Sequence, residues 1–137
     1  AHRILGPGGI LAIVDNVPPD QQSMPELAIG DVPATADAYN TFEKLRDPSH
    51  ARALGLDEWT GLMRASGFEV VGCELLEKEM AFGPWVERMR CAPETVDQLQ
   101  RTLQQPSPLS TFLKPRQADG ELHLTLREAI LIGRKQP

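Results

Sequence analysis

The sequence is poor in aromatic residues, cysteines and long apolar runs, and the last two shortages each exclude a class of protein. Aromatic side chains make up 5% of its 137 residues, and its two cysteines are Cys73 and Cys91. Two cysteines cannot build a disulfide framework or, by themselves, a four-ligand zinc site. No apolar stretch approaches the roughly 18 residues of a membrane span, and no signal peptide opens the chain. We therefore expect a cytoplasmic protein without a membrane span, whose thiols are reduced.

Positive charge is scarce as well. The 14 Lys and Arg residues are outnumbered by 19 Asp and Glu residues, which gives a formal net charge of −5 without any Lys/Arg-rich run. This balance argues against nucleic acid or an anionic membrane as the main partner. His2 and His123 have no partner at metal-ligand spacing, and His50 with Asp47 alone is too little for a metal site. The length and the 41% hydrophobic content predict one ordinary globular domain.

The first nine residues have the pattern of a helix end. Arg3 suits the negative end of a helix dipole, Gly6 suits the left-handed position after a helix, and Pro7 cannot continue one. Five residues cannot form a stable helix alone, because nucleation fixes several residues for one hydrogen bond. We therefore expect this chain to be the C-terminal part of a longer one; removal of a tag at this point is the alternative.

Three segments predict strands of an α/β sheet. Residues 10–14 form a continuous apolar run that is typical of a parallel strand buried on both faces, and the run ends at Asp15 and Asn16. Residues 68–76 follow a helix closed by glycine, which is an αβ unit. Residues 122–132 alternate and then turn continuously apolar, which predicts a half-exposed strand that becomes fully buried, with a bulge near 127–128.

Proline and glycine positions divide the rest of the chain into helices and loops. The predicted segments are a proline-rich loop at 17–35 that could act as a lid, a helix at 36–45, a helix at 56–66 and a helical insert at 82–118. The first helix should stop before Asp47 because Pro48 disfavours a helical residue ahead of it. Asp57 is the expected N-cap of the second helix, and Gly67 its left-handed C-terminal residue.

The order of these elements resembles the C-terminal half of a class I S-adenosylmethionine-dependent methyltransferase. The motifs that carry the resemblance are AHRILGPGG at 1–9, IVDNV at 13–17, FEKLRDPSH at 42–50, DEW at 57–59, ASGFEV at 65–70 and ILIGRK at 130–135. Together they span nearly the whole chain. The sequence is most similar to the branch that includes the ubiquinone/menaquinone-biosynthesis-type C-methyltransferases, and RDPSH is its narrowest motif.

The resemblance implies an α/β, partial Rossmann-like methyltransferase fold. Residues 1–137 would form the C-terminal portion of a single domain, with the last three strands of the sheet and the final strand antiparallel between its two neighbours. The N-terminal, cofactor-binding half would be absent. S-adenosylmethionine would be the cofactor of the full-length protein, and none is expected for this chain alone. Its glycines at 6–9 precede a strand instead of following one, and no G-x-G-x-x-G occurs.

Methyl transfer from a sulfonium is an in-line displacement, so the protein mainly positions the acceptor and supplies a base where the acceptor holds a proton. His50 is the candidate general base, because imidazole titrates near neutral pH and this one lies in a polar corner. A surface or capping histidine is the alternative. In the family the acceptor site is built largely from the C-terminal half, which makes the 42–50 segment and the end of the first strand the places to look.

Five further residues are candidates for binding the methyl acceptor: Asp15, Asn16, Phe42, Arg46 and Asp47. Asp15 and Asn16 would lie at the sheet edge where ligands bind, although a local turn hydrogen bond explains Asp15 equally well. Arg46 could bind an anionic group of the acceptor, or it could only interact favourably with the negative end of the helix dipole. Asp47 could orient His50, pair with Arg46 or act as an ordinary turn residue. Phe42 could line an apolar pocket with Trp59 and Trp85, although Trp59 shares an apolar helical face and fits the core.

Two functions remain open at this point. The first is the acceptor-binding half of a small-molecule methyltransferase that is inactive as this fragment. The alternative is a non-catalytic, self-associating α/β module that retains only the ancestry of a methyltransferase. Self-association is expected through the exposed edge of strand 10–14, since an unpaired apolar edge favours pairing with another chain. Dimerisation would bury that edge.

Overall fold

The computed structural model describes all 137 residues and has a mixed α/β fold with an open antiparallel sheet. In chain order the strands are β1 (Ile10–Asn16), β2 (Phe68–Ala81), β3 (Arg116–Ala118) and β4 (Glu121–Lys135). The helices are α1 (Val32–Arg46), α2 (Leu56–Ala65), α3 (Phe82–Glu87), α4 (Pro93–Gln104) and α5 (Pro108–Leu113), and a single 3-10 turn, Ile29–Asp31, precedes α1. None of these helices has the length and apolar character needed to cross a membrane.

The sheet places the last strand between its two neighbours. Its order is β1-β4-β2, and the short β3 pairs with β4 in a hairpin. β1 and β4 are antiparallel, with Ile10 opposite Arg134 and Asn16 opposite Glu128. This is the position and direction that the resemblance implied for the final strand.

β1 differs from its prediction. The apolar run indicated a strand buried on both faces, but alternate residues are exposed, with Ile10 and Val14 at 52% and 58%. The strand pairs with β4 on one edge, and its other edge has no partner in the chain. The prediction was wrong because a continuous apolar run shows only that both faces of a strand can be buried. Another helix or strand has to pack on the second face to bury it.

The chain forms two compact units. The first contains residues 1–17, 53–77 and 127–137, and the second contains residues 18–52 and 78–126. β2 and β4 each contribute residues to both units.

The core of the first unit is small and lies on one face of its strands. Met63, Phe68 and Leu131 are buried there, and partly buried apolar side chains of β1 and α2 pack against them. α2 begins at Leu56 as predicted, but its N-cap is Gly55, whose N–H donates to Glu58 Oε2 at 2.9 Å. The expected N-cap, Asp57, lies within the first turn instead.

Glycine conformations correct one prediction and confirm another. Gly67 has φ +82° after α2, as its predicted left-handed position requires. Near the N-terminus the left-handed glycine is Gly8 (φ +75°), not Gly6. Residues 1–5 form a turn, closed by the Ile4 N–H donating to the Ala1 carbonyl at 3.1 Å. The short segment lacks the length to hold a helical register.

The second unit is built around α1 and the helical insert. α1 begins at Val32, four residues before its predicted start, because Pro33 stands in the first turn, where its missing N–H costs nothing. The predicted loop at 17–35 is correspondingly shorter. The insert is interrupted at Pro93 and Pro106 as predicted. The largest fully buried side chain of this unit is Trp85. Four leucines are also fully buried in the unit: Leu99, Leu103, Leu113 and Leu124.

β4 changes its buried face where the bulge was predicted. Leu122, Leu124 and Leu126 are buried, and the next buried residues are Ala129 and Leu131, so the alternation shifts by one residue at 127–128. The predicted full burial of the final segment is wrong, since Ile130 and Ile132 are only partly buried. Because of this shift, buried and less buried residues alternate in both halves of the strand.

Candidate functional site

One face of α1 carries two of the candidate residues, Phe42 and Arg46. Tyr39, Phe42, Glu43 and Arg46 recur at three- and four-residue spacing, so they share a face. Three of them are buried, and Arg46 retains 13% exposure of its side chain. This spacing was visible in the sequence and could have added Glu43 and Tyr39 to the candidates.

The side chain of Arg46 makes three contacts, two with Trp85 and one with Glu43. Its Nε donates to the Trp85 carbonyl at 3.1 Å, and its guanidinium carbon lies 4.3 Å from the centroid of the indole ring. Its Nη1 donates to Glu43 Oε2 at 3.4 Å. Phe42 stacks on the same indole, with ring centroids 5.5 Å apart and planes 16° apart. Phe42 and Arg46 thus form a packed aromatic and cationic cluster with Trp85.

Glu43 is an acid inside this cluster. Burial raises the pKa of the Glu43 carboxyl because the charged form is poorly solvated there. Arg46, the nearby His50 and the hydroxyl of Tyr39, which donates to Glu43 Oε1 at 3.5 Å, lower that pKa only in part. The protonated form of Glu43 is therefore favoured relative to an exposed glutamate.

His50 lies in the polar corner after α1, as predicted. Its backbone N–H donates to the Asp47 carbonyl at 2.9 Å, and its Nε2 lies 3.0 Å from Asn40 Oδ1. The Asp47 carboxylate instead accepts from the N–H and hydroxyl of Ser49, at 2.9 and 2.6 Å, and these bonds lower the pKa of Asp47. Asp47 has the geometry of a turn residue, and the ring of His50 contacts Asn40, a residue that sequence reasoning missed.

Asp15 and Asn16 end β1 in the first unit. Asp15 Oδ1 accepts from the Asn16 N–H at 2.9 Å, and the two residues lie opposite Ala129 and Glu128 of β4. This is the local hydrogen bond that was the alternative explanation for Asp15. Both side chains are half-buried. The candidates therefore fall into a pair in the first unit and a group of four, Phe42, Arg46, Asp47 and His50, in the second.

Each unit also contains a cavity. The larger, about 470 Å³, lies in the second unit between the first half of α1 and the connection from α4 to α5; its walls include Ala34, Ala38, Gln105, Pro106, Ser107 and Leu109. The smaller, about 260 Å³, lies in the first unit beside Leu11, Ile13 and Trp59. No motif predicted the larger cavity, because small apolar wall residues carry no sequence signature.

The predicted aromatic pocket does not form as one feature. Phe42 and Trp85 are buried against each other, whereas Trp59 belongs to the first unit, where it packs beside the core and lines the smaller cavity. No group of three or more His, Cys, Asp or Glu side chains is arranged to hold a metal ion. Cys73 and Cys91 are free thiols, and Cys91 Sγ donates to the Arg46 carbonyl at 3.3 Å.

Comparison with known proteins identifies the fold. No family model matches the chain. The uncharacterised protein YafE of Escherichia coli K12 is 31% identical over 96 residues, which are 70% of this chain and 41% of YafE. The crystal structure of BH2331 from Bacillus halodurans, a candidate methyltransferase, matches the whole chain and 60% of its own length, with a TM-score of 0.81 and 27% identity.

A second solved structure supports the same fold. YcgJ from Bacillus subtilis covers 99% of this chain with a TM-score of 0.79 at 19% identity, and the match covers 55% of YcgJ. The chain thus spans between about two fifths and three fifths of the proteins it matches. It has a methyltransferase fold, and its likeness to BH2331 supports a methyltransferase-related function.

Proposed function

We propose that this chain is the acceptor-binding part of a cytoplasmic S-adenosylmethionine-dependent small-molecule methyltransferase and is inactive by itself. The observation that carries the proposal is the match of all 137 residues to 60% of BH2331 at 27% identity. The position of β4 between β1 and β2, and the RDPSH segment at the end of α1, support the same assignment and its ubiquinone/menaquinone-type branch.

The residues present do not fit the cofactor. Nucleotide-like ligands are held where a glycine-rich turn follows a strand and opens a helix. The glycine turn of this chain leads into β1, and its amides are already used: the Gly8 N–H donates to the Lys135 carbonyl at 3.0 Å and the Gly9 N–H to the Gly6 carbonyl at 2.9 Å. Residues outside the chain would have to hold S-adenosylmethionine.

The tasks left to this chain are to orient the acceptor and remove its proton. His50 is the proposed general base, because its imidazole lies in a polar corner near two acids, Glu43 and Asp47. Phe42 and Arg46 form the proposed wall of the acceptor site. Arg46 Nη2 makes no hydrogen bond, and this leaves it a donor for an acidic acceptor.

The roles of the other candidates follow from their place in the fold. The Asp47 carboxylate accepts a hydrogen bond from the Ser49 N–H, and the Asp47 carbonyl accepts one from the His50 N–H. Its proposed contribution to acceptor binding is therefore to fix the backbone that carries His50. Asp15 and Asn16 are proposed to bind the acceptor because they stand at the end of β1, and open α/β sheets bind ligands at the ends of their strands.

The first test is the intact mass of the gene product in its source cells. A product close to twice the size of this chain is expected. A product of this size alone would refute the enzyme proposal. The second test is equilibrium binding of labelled S-adenosylmethionine to the 137-residue chain and to the full gene product, with binding expected only for the full product.

A variant pair tests the base. In the full gene product, His50→Ala should lower kcat for methyl transfer by about 100-fold or more, since general-base catalysis typically contributes ~10²–10⁴-fold. His123→Ala is the matched control, because this histidine lies on β4 beside Glu79 and is not among the candidates. Equal rates for His50→Ala and the unaltered protein would show that His50 is not the base.

The second candidate function, a self-associating module, is favoured by the exposed apolar residues of β1. Ile10 and Val14 are more than half exposed on a strand with one unpaired edge. We propose dimerisation through this edge in the isolated chain. Sedimentation should then show a dimer that Val14→Lys dissociates, whereas Leu62→Lys, at a 51% exposed residue of α2, leaves it intact. A monomeric chain would contradict this proposal.

A further inference from the structure

The hydrogen bonds of Asn40 determine which way its amide points. Asn40 Nδ2 donates to the Ala36 carbonyl at 3.0 Å, one turn earlier in α1. A backbone carbonyl can only accept, so the NH₂ group must face Ala36 and the amide oxygen must face the other way. That oxygen, Oδ1, lies 3.0 Å from Nε2 of His50.

This geometry assigns the ring proton of His50. An amide oxygen has no proton to give, so Nε2 must carry one for the contact to be a hydrogen bond. A neutral imidazole carries a single N–H, which leaves the lone pair on Nδ1. We propose that Asn40 is a positioning residue that holds His50 in the Nε2–H form, so that Nδ1 is the atom that takes the proton of the methyl acceptor. The inference rests on the proposed role of His50 as the base.

The proton transfer balances without further groups. The Nδ1 lone pair forms a new N–H bond to a proton of the acceptor, and the electron pair of the broken bond stays on the acceptor atom as a nucleophile. The ring becomes an imidazolium, whose positive charge faces the acids Glu43 and Asp47. Nε2–H still donates to Asn40 Oδ1, and this bond is stronger to a charged ring than to a neutral one.

The rest of the corner keeps the ring in place. The Asp47 carbonyl accepts the His50 N–H at 2.9 Å, and the Asp47 carboxylate is tied to Ser49. The backbone of His50 is thus anchored to Asp47, the C-cap residue of α1, and its side chain to Asn40 within the helix. In the sequence, orienting His50 was one of several roles open to Asp47, whereas the contact with the ring is made by Asn40.

The tautomer is tested directly by nuclear magnetic resonance on the chain with ¹⁵N-labelled histidine. At a pH where His50 is neutral, long-range proton–nitrogen correlations distinguish a protonated from an unprotonated ring nitrogen. We expect a protonated Nε2 in the unaltered chain and a several-fold increase in the Nδ1–H fraction in Asn40→Ala. Asn40→Asp should keep the Nε2–H form, because a carboxylate oxygen also accepts.

The matched control is Thr41→Ala. Thr41 Oγ1 donates to the Asp37 carbonyl at 2.9 Å, so the variant removes the same kind of side-chain bond from the same helix without touching His50. Its histidine spectrum should be unchanged. A protonated Nδ1 in the unaltered chain, or an unchanged spectrum in a folded Asn40→Ala, would overturn the inference.

Rates in the full gene product separate this inference from the proposed function. Asn40→Ala should lower kcat by about tenfold, a part of the ~10²–10⁴-fold that a general base supplies, with KM little changed and with most of kcat restored in Asn40→Asp. If His50→Ala keeps its rate, His50 is not the base, although the assigned tautomer stands. If the unaltered spectrum shows Nδ1–H, the role of Asn40 is wrong whether or not His50 is the base.

Discussion

Replacing Arg46 by Met tests the buried cluster on α1. Met keeps an apolar stem of similar length, so packing against the Trp85 indole is largely retained. The variant loses the Nε bond to the Trp85 carbonyl, the cation–π contact at 4.3 Å and the charge that faces Glu43 at 3.4 Å. Glu43, 6% exposed, is left with a buried carboxyl and no cation contacting it at this position.

The size of the effect follows from these three losses. Removing one partner of a buried ion pair typically costs about 3–5 kcal/mol. When Glu43 is protonated its charge no longer matters, and what remains is the carbonyl without its donor and the lost cation–π contact, together about 2–3 kcal/mol. We therefore expect Arg46→Met to destabilise the fold by about 4 kcal/mol at pH 7 and by less in acid.

The pH dependence has a definite sign. Burial raises the pKa of Glu43 in the folded protein, so between the ordinary and the raised value the folded state binds more protons than the unfolded one. The contribution of Glu43 to stability is present in full below its unfolded pKa and is lost as the pH rises through the folded value. Losing Arg46 raises the folded pKa further, so the variant loses stability more steeply with rising pH than the unaltered protein.

Urea unfolding followed by far-ultraviolet circular dichroism at about pH 4 and pH 7 measures the difference. Lys44→Met, at an exposed neighbour on the same helix, is the matched control and should change stability by less than about 0.5 kcal/mol. Equal destabilisation by Arg46→Met at both pH values would refute the reasoning. It would mean that Glu43 does not change its charge between them.

Three further variants test local features of the fold. Gly133→Ala should destabilise by about 1–3 kcal/mol in thermal unfolding, since its Cβ would lie 2.5 Å from Met63 Cε and 3.2 Å from Phe68 Cβ; an unchanged midpoint would show that this strand can move aside. Gly61→Ala, within α2 where an added Cβ meets nothing within 4 Å, should instead stabilise by about 0.5–1 kcal/mol, and a loss would contradict the open space. Ser107→Ala removes the cap of α5 and should cost about 1 kcal/mol by urea unfolding, whereas no loss would show that the cap is dispensable.

The local pattern of the sequence determined where most elements begin and end. Gly67 closes α2 in the left-handed conformation, Pro48 stops α1 after Arg46, and Pro93 and Pro106 divide the helical insert. These features depend on one or two neighbouring residues, and so they can be read from the sequence. Two local predictions were wrong: the left-handed glycine near the N-terminus and the first residue of α1. In both places the local sequence is compatible with more than one position, and the surrounding structure selects one of them.

The His50 corner was also visible in the sequence, but its partner was not. His50 was predicted from a polar segment with a helix end before it, and it lies there. The contact with Asn40, ten residues earlier, depends on how the chain turns back at Asp47, which no residue spacing specifies.

Tertiary structure alone decided the chemistry around α1 and the exposure of β1. Arg46 and Trp85 are 39 residues apart and meet only in the folded chain, and Glu43 is buried beside Arg46, so the raised pKa of this acid is a property of packing. In the same way, an apolar run allowed β1 to be covered on both faces, but only the arrangement of the other elements left Ile10 and Val14 exposed. Turns, helix caps and secondary-structure propensity depend on a few neighbouring residues, whereas burial depends on which distant segments meet.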